Sequence, residues 1–299
     1  MGKTTQSQPL ISVVVPVYNS GKTLARCLQG LQAQTYPRLE IVAVYLDSQD
    51  DTLPILQAFK GLPLQLVHQT DKTGPGGARN LGVQAAQGDY IGFVEADDTI
   101  PPDFYERLEA AITQDGSDIA MGVTYYSGKP KVRFSRRRKV SGFAASFWRL
   151  DNGGTFDKLF RAGLIKPLRF AEKCRWEDNP FVLQAFWNAK QVSLVPQAHY
   201  YYEPSLWSES YCEQLKKDAL HIWQEMIDFI NRQPQATWKD KALVKWKSYC
   251  FFIGPLVQDP VFDESFGRLV GWPWWFKVLY YRRKFKRFIH QFYRRKKHD

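Results

Sequence analysis

The stretch Tyr90-Ile91-Gly92-Phe93-Val94-Glu95-Ala96-Asp97-Asp98 constrains this chain more than any other. Apolar and aromatic residues around one glycine read as a buried strand. That strand runs straight into three carboxylates within four residues. Ionised carboxylates are almost never buried unpaired. The acidic cluster therefore belongs at the strand's exposed carboxyl end, where an open α/β sheet binds ligands. Oxygen donors at this density suit a hard cation such as Mg²⁺ or Mn²⁺, which in turn holds a phosphate. The same residues also suit a solvated turn, with Asp98 or Thr99 capping a helix begun by Pro101, Pro102 and Asp103.

The segments before it alternate in type. Ile11 to Val15 is a β-branched run broken only by Ser12, and reads as a buried strand. Lys22 to Gln34 has helical spacing through Leu24, Cys27, Leu28 and Leu31. Ile41 to Leu46 and Leu64 to His68 are further strands, and Leu53 to Phe59 is a helix. Gly74-Pro75-Gly76-Gly77 reads as a flexible loop before a helix over Ala78 to Ala86. Four strands alternating with helices predict a doubly wound parallel sheet. Ser20-Gly21-Lys22-Thr23 imitates a phosphate-binding P-loop, but the motif's first glycine would fall at Pro16, which has no N–H to offer a phosphate.

The chain resembles the family 2 glycosyltransferases of the GT-A fold. The matching residues are Ser12 to Asn19, Gln34-Thr35-Tyr36-Pro37, Leu39 to Val42, Gly77-Ala78-Arg79-Asn80-Leu81-Gly82 and Gly88-Asp89-Tyr90. A second set is Asp157-Lys158-Leu159-Phe160-Arg161, Arg169-Phe170, Glu177-Asp178-Asn179-Pro180-Phe181 and Tyr200-Tyr201-Tyr202. This second set is similar to the branch that builds bacterial surface polysaccharides. The resemblance implies a mostly parallel Rossmann-like sheet with helices on both faces, followed by a helical C-terminal region. It sets a GT-A domain at 1–212, with a nucleotide-binding half over about 10–123 and an acceptor half over about 124–212. A helical region over 213–271 and a tail over 272–299 follow.

It also implies inverting transfer of a sugar from a nucleoside diphosphate, UDP above all, to a glycan or lipid-linked acceptor. Pro16, Val17 and Tyr18 would shape the base pocket, and Arg79 would pair with phosphate or stack on the base. Asp97 would hold a divalent Mn²⁺ or Mg²⁺, with Glu95 supporting the metal or contacting the ribose; Asp98 is a weaker candidate ligand that equally suits a helix cap. Asp178 is the expected general base, with Glu177 positioning it or binding acceptor; Asp178 also suits a plain helix cap. Two departures stand out. The family's paired aspartates after the second strand are here Tyr45 and Leu46, so Asp47 is the expected substitute, or Tyr45 stacks on the base. Glu95 replaces the first aspartate of Asp-x-Asp. The alternative to an active transferase is an inactive nucleotide-sugar-binding or scaffold subunit of a polysaccharide assembly complex.

Charge and aromatics concentrate late. Of the net charge of +11, the segment Trp272 to Asp299 carries +9, from ten Lys or Arg and one Asp. Val278, Tyr281, Phe285, Phe288, Ile289 and Phe292 fall on one helical face of it, with most cations elsewhere. Clustered tryptophans beside cations suit an anionic membrane surface better than a nucleic acid. The four cysteines are scattered and form no metal pair or disulfide framework. With no leader-like start and no spanning run, the expected location is cytoplasmic, peripheral on the inner face of the cell membrane. A basic run, Lys129 to Lys139, reads as a solvated hairpin or as a site for an anionic acceptor. His199 reads as a packing histidine or as a metal or phosphate contact.

Overall fold

A computed structural model describes residues 8–126, 128–131, 134–147, 153–203 and 212–248. The first β-branched run forms β1 (Ile11–Val17), buried at every position except Pro16. It is flanked in parallel by β2 (Leu39–Leu46) and β4 (Tyr90–Phe93), and β3 (Leu64–Gln69) adds beyond β2. Strands buried on both faces lose their polar–apolar alternation, hence Val13-Val14-Val15 and Ile41-Val42-Ala43-Val44. The connections are α1 (Leu24–Gln32), α2 (Thr52–Ala58) and α3 (Gly74–Ala85). α1 buries Leu24, Cys27, Leu28 and Leu31, the face its spacing predicts.

α3 starts four residues before the expected Ala78, so the glycine-rich segment is the helix's first turn and not a loop. The glycines serve close packing. A Cβ on Gly76 would lie 2.0 Å from the carbonyl oxygen of Ala171.

The second half departs from the expected parallel sheet. After α4 (Phe104–Asp115) come β5 (Ile119–Tyr126), β6 (Lys129–Lys131), β7 (Arg138–Ser141), α5 (Phe143–Phe147) and β8 (Lys158–Arg161). Then follow α6 (Ala162–Ile165), α7 (Asp178–Asn188) and β9 (Gln191–Tyr202). The sheet order is β3-β2-β1-β4-β8-β5-β9-β7, with β6 paired to β5. β8 lies antiparallel between β4 and β5, and β7 is antiparallel to β9, whereas β5 and β9 are parallel. The sheet is therefore mixed. Strand β8 has only four residues, too short for its pattern to reveal its direction.

The basic run divides. Lys129 pairs with Tyr126 at the carboxyl end of β5, whereas Lys139 pairs with Ser193 at the start of β9. Ser193 is seven residues before Tyr200, about 23 Å along the strand. Arg137 and Lys139 instead meet the carboxyl end of α4, at the Asp115 side chain and carbonyl. His199 is a packing residue, against the Tyr125 ring and the Pro196 carbonyl.

α8 (Cys212–Arg232) lies against α7 and α9 (Trp238–Ser248), and buries Ala219, Ile222, Trp223, Met226 and Ile230. α9 is described as far as Ser248. The chain divides into two compact units, Met1–Phe252 and Ile253–Asp299. The expected boundary at 271/272 and the basic aromatic tail lie outside the described residues. Among the described residues no helix is long and apolar enough to cross a membrane.

Candidate active site

The carboxyl ends of β1, β2 and β4 and the start of α3 enclose a cavity of about 810 Å³. Its walls include Pro16, Val17, Tyr18, Leu46, Gln69, Ala78, Glu95 and Asp97. This size suits a nucleotide-sized ligand. Tyr18 is 53% exposed, so its ring is a wall of the cavity and not core packing. The turn after β1 is fixed by Asn19 in the left-handed region, at φ 48°; its Oδ1 accepts the Gln49 N–H.

Asp47 stands outside this cavity. Its exposed carboxylate pairs with His68 at 2.9 Å. Tyr45 is buried and stacks on His68, so its ring is not offered to a ligand. The chain turns sharply after Leu46, and Asp50 takes the place at the cavity, accepting the Gly21 N–H at 2.8 Å. Lys22 and Lys72, both exposed, also line the cavity. They are its cations. Lys22 falls within the rejected P-loop imitation; sequence reasoning passed over Lys72, whose one signal is its position beside the turn that follows β3.

The acidic loop is held by long-range contacts. Tyr200 accepts the Glu95 N–H at 3.1 Å and donates to Asp98 Oδ2 at 2.7 Å. The Glu203 N–H occupies the other Asp98 oxygen at 2.8 Å. Asp98 is fully buried and does not cap α4, whose N-cap is Asp103. Burial pushes its carboxyl up to about 8, against the two hydrogen bonds. Asp97 is partly open to the cavity, with its backbone carbonyl held by Arg26 at 2.8 Å. Burial first, and then the charge of Glu95, raise its carboxyl.

Arg79 joins the two ends of the site. One terminal nitrogen donates to Glu95 at 2.6 Å and the other to Glu177. The guanidinium is buried, with the Phe170 ring 5.6 Å away. Glu177 precedes α7 and is buried with it; Asp178 opens the helix. Neither side chain caps the helix. Trp176, directly before them, has φ 57°, a costly conformation for a bulky residue and one that clusters at functional sites. Asp178 retains a partly open surface although protein surrounds it. Desolvation, and then the adjacent Glu177 charge, push its carboxyl up to about 7, with Arg79 and Lys158 opposing. A carboxyl raised in this direction suits proton transfer near neutral pH. Asn179 donates to Asp178 Oδ1 at 2.9 Å. Lys158, wholly buried, holds the Gly154 carbonyl at 2.6 Å and the Asp157 carboxylate, under the same corner.

The glycosyl transferase family 2 model matches residues 12–170, more than half of the chain. The chain belongs to glycosyl transferase family 2. It is 31% identical over 202 residues to the poly(ribitol-phosphate) beta-N-acetylglucosaminyltransferase TarS of Staphylococcus aureus. That match covers 64% of this chain and 35% of TarS, so the chain spans about a third of that relative's length. The crystal structure of TarS 1–349 with UDP-GlcNAc shares the fold, at a TM-score of 0.67 and 23% identity over 85% of this chain and 77% of that one. So does the mannosyltransferase PcManGT of Pyrobaculum calidifontis, crystallised with GDP-Man and Mn²⁺. Its TM-score is 0.60 at 18% identity, over 82% of this chain and 70% of that one. The mixed sheet is thus a GT-A glycosyltransferase fold.

Proposed function

We propose that this glycosyltransferase moves a sugar, with inversion, from a nucleoside diphosphate sugar to a hydroxyl of a bacterial surface glycan or lipid-linked oligosaccharide. UDP is the proposed nucleotide. The observation that carries the reading is the link through Arg79 between the cavity carboxylate Glu95 and the pair Glu177-Asp178. A nucleotide cavity and a raised carboxyl on opposite sides of one guanidinium are what direct displacement requires. The acceptor hydroxyl attacks the anomeric carbon, its proton passes to Asp178, and the bond to the diphosphate breaks as the new glycosidic bond forms. Lys22 and Lys72 lie where they would meet the diphosphate's charge.

Asp97 and Glu95 fit a divalent cation. They are hard oxygen donors on one cavity wall, and the Asp97 carboxyl is raised first by burial and then by the Glu95 charge. Among the described residues no cluster of three or more His, Cys, Asp or Glu forms a cage. Two carboxylates completed by donor phosphate oxygens are the usual arrangement for Mg²⁺ or Mn²⁺. When bound, the metal would supply Lewis-acid stabilisation of the leaving diphosphate.

The support for a surface-glycan acceptor is TarS, whose name states a poly(ribitol-phosphate) substrate. The basic aromatic tail supports a place on the inner membrane face. A thermal-shift panel of UDP, GDP and their common sugar conjugates, with and without Mn²⁺, tests the reading. Stabilisation by a UDP-sugar, followed by release of UDP from it, is the expected result. Binding without any turnover would return the inactive-subunit alternative.

A further inference from the structure

We infer that Arg79 is a positioning residue that ties the donor end of the site to the acceptor end, and that it does not itself hold the donor's diphosphate. The inference rests on the proposed roles of Glu95, Glu177 and Asp178.

Arg79 sits on α3, in the Gly77-Ala78-Arg79-Asn80 segment, where a helix start beside a cavity would ordinarily favour an anion. The geometry here opposes that use. The residue is 5% exposed, and the cavity wall is formed by its neighbour Ala78 instead. Each terminal nitrogen already donates one hydrogen bond to a carboxylate, Nη2 to Glu95 and Nη1 to Glu177. Nε is buried with the rest of the group. A phosphate reaching this guanidinium would face both carboxylates at close range. Lys22 and Lys72 offer exposed cations in the same cavity at no such cost.

What Arg79 does control is the relation of two segments far apart in sequence. Glu95 follows β4, on the donor side; Glu177 immediately precedes the Asp178 base, on the acceptor side. Without the guanidinium these carboxylates would repel each other. With it, Glu177 is fixed in orientation, and Asp178 with it. The planar fork allows both contacts at once, and a lysine ammonium on a flexible stem does not reproduce that geometry. Asn80, the next residue on α3, adds a second tie. It donates to the Phe170 carbonyl at 3.0 Å and accepts the Phe170 N–H at 2.8 Å. One face of α3 thus holds the segment that leads into Glu177.

The test compares wild type, Arg79→Lys, Arg79→Gln and Lys72→Ala. UDP affinity is measured by calorimetry, and kcat and KM with the sugar nucleotide that gives the largest thermal shift. The expected result is UDP affinity within threefold of wild type for both Arg79 variants. Their kcat should fall at least a hundredfold for Gln, with partial recovery for Lys. Lys72→Ala should weaken UDP binding at least fivefold. A tenfold loss of UDP affinity in Arg79→Gln, with kcat preserved at saturation, would make Arg79 a donor ligand and overturn the inference. Wild-type behaviour in both constants would overturn it as well.

A thermal-melt cycle over Arg79→Gln, Glu177→Gln and the double variant, which removes the clamp from both sides, reads the tie without turnover. Coupling between the two sites is expected. Additive melts would mean that no clamp exists. If Asp178→Asn keeps full activity while the cycle still shows coupling, the base assignment fails and the clamp stands.

Discussion

Asn179 donates a hydrogen bond to Oδ1 of Asp178 at 2.9 Å, from the next position of the same helix. The far side of that amide packs against the chain at Gly153, where an added Cβ would lie 1.5 Å from Asn179 Oδ1. The glycine is therefore a condition for the orientation of Asp178, the proposed base. Gly153→Ala should push Asn179 out of place and lower transfer by about 10²-fold, the scale of an ångström-sized misplacement. UDP affinity should stay unchanged, since Gly153 lies outside the cavity wall. Calorimetry with UDP beside steady-state kinetics checks this; wild-type kcat in the variant would remove Gly153 from the argument.

Asp97 is exposed to the cavity and its carboxyl is raised by burial and by Glu95. A divalent cation would relieve that repulsion, and an amide would not hold it. Asp97→Asn should abolish the Mn²⁺-dependent part of UDP affinity and leave the metal-free part unaffected. The comparison is UDP binding with Mn²⁺ and with EDTA; an undiminished Mn²⁺ effect in the folded variant would exclude Asp97 as a ligand.

The parallel half of the fold was legible because its signals are local. The Val13-Val14-Val15 run, the Leu24-Cys27-Leu28-Leu31 spacing and the acidic end of β4 each lie within one element. The pairing of Glu177-Asp178 with the acidic stretch came only from family resemblance. What holds them together had no local signal. Arg79 reaches Glu177 across 98 positions, and Tyr200 reaches Asp98 across 102. The place of Asp47 outside the cavity wall has a related reason. Strand length predicts where β2 ends, but which later carboxylate folds back depends on the Gly21 N–H, 29 positions before Asp50. The direction of β8 was likewise set by the path of the chain and not by its four residues.

Tyr200 tests the acidic loop's support. Its hydroxyl is buried, accepts from the Glu95 backbone and donates to Asp98. Tyr200→Phe leaves the Asp98 carboxyl short of one partner at a buried position. Loss of such a partner costs about 1–3 kcal/mol. Urea unfolding should show a lowered midpoint at an unchanged m-value. An unaltered midpoint would mean that this contact contributes nothing to stability.

The tail is tested by deletion of residues 272–299. Each cation near an anionic surface contributes about 1 kcal/mol, so the ten Lys and Arg of this segment suffice for attachment. The full chain should sediment with phosphatidylglycerol liposomes at low salt and the truncated chain should not. Equal binding of the full chain to neutral liposomes would exclude an electrostatic anchor.

Asp178 carries the last prediction. A general base works deprotonated, and its carboxyl is raised to about 7 by desolvation and by the Glu177 charge. The active form therefore grows as pH rises through that value. Transfer measured as kcat/KM for the acceptor should climb by about tenfold per pH unit on the acid side and flatten above pH 7 or so. Asp178→Asn should lower the rate by about 10²–10⁴-fold and remove the limb, while UDP affinity stays flat. Glu177→Gln deletes the neighbouring charge that helps raise the carboxyl, so in that variant the limb should move to lower pH. A limb that stays in place in Glu177→Gln, or persists in Asp178→Asn, would assign the titration to another group.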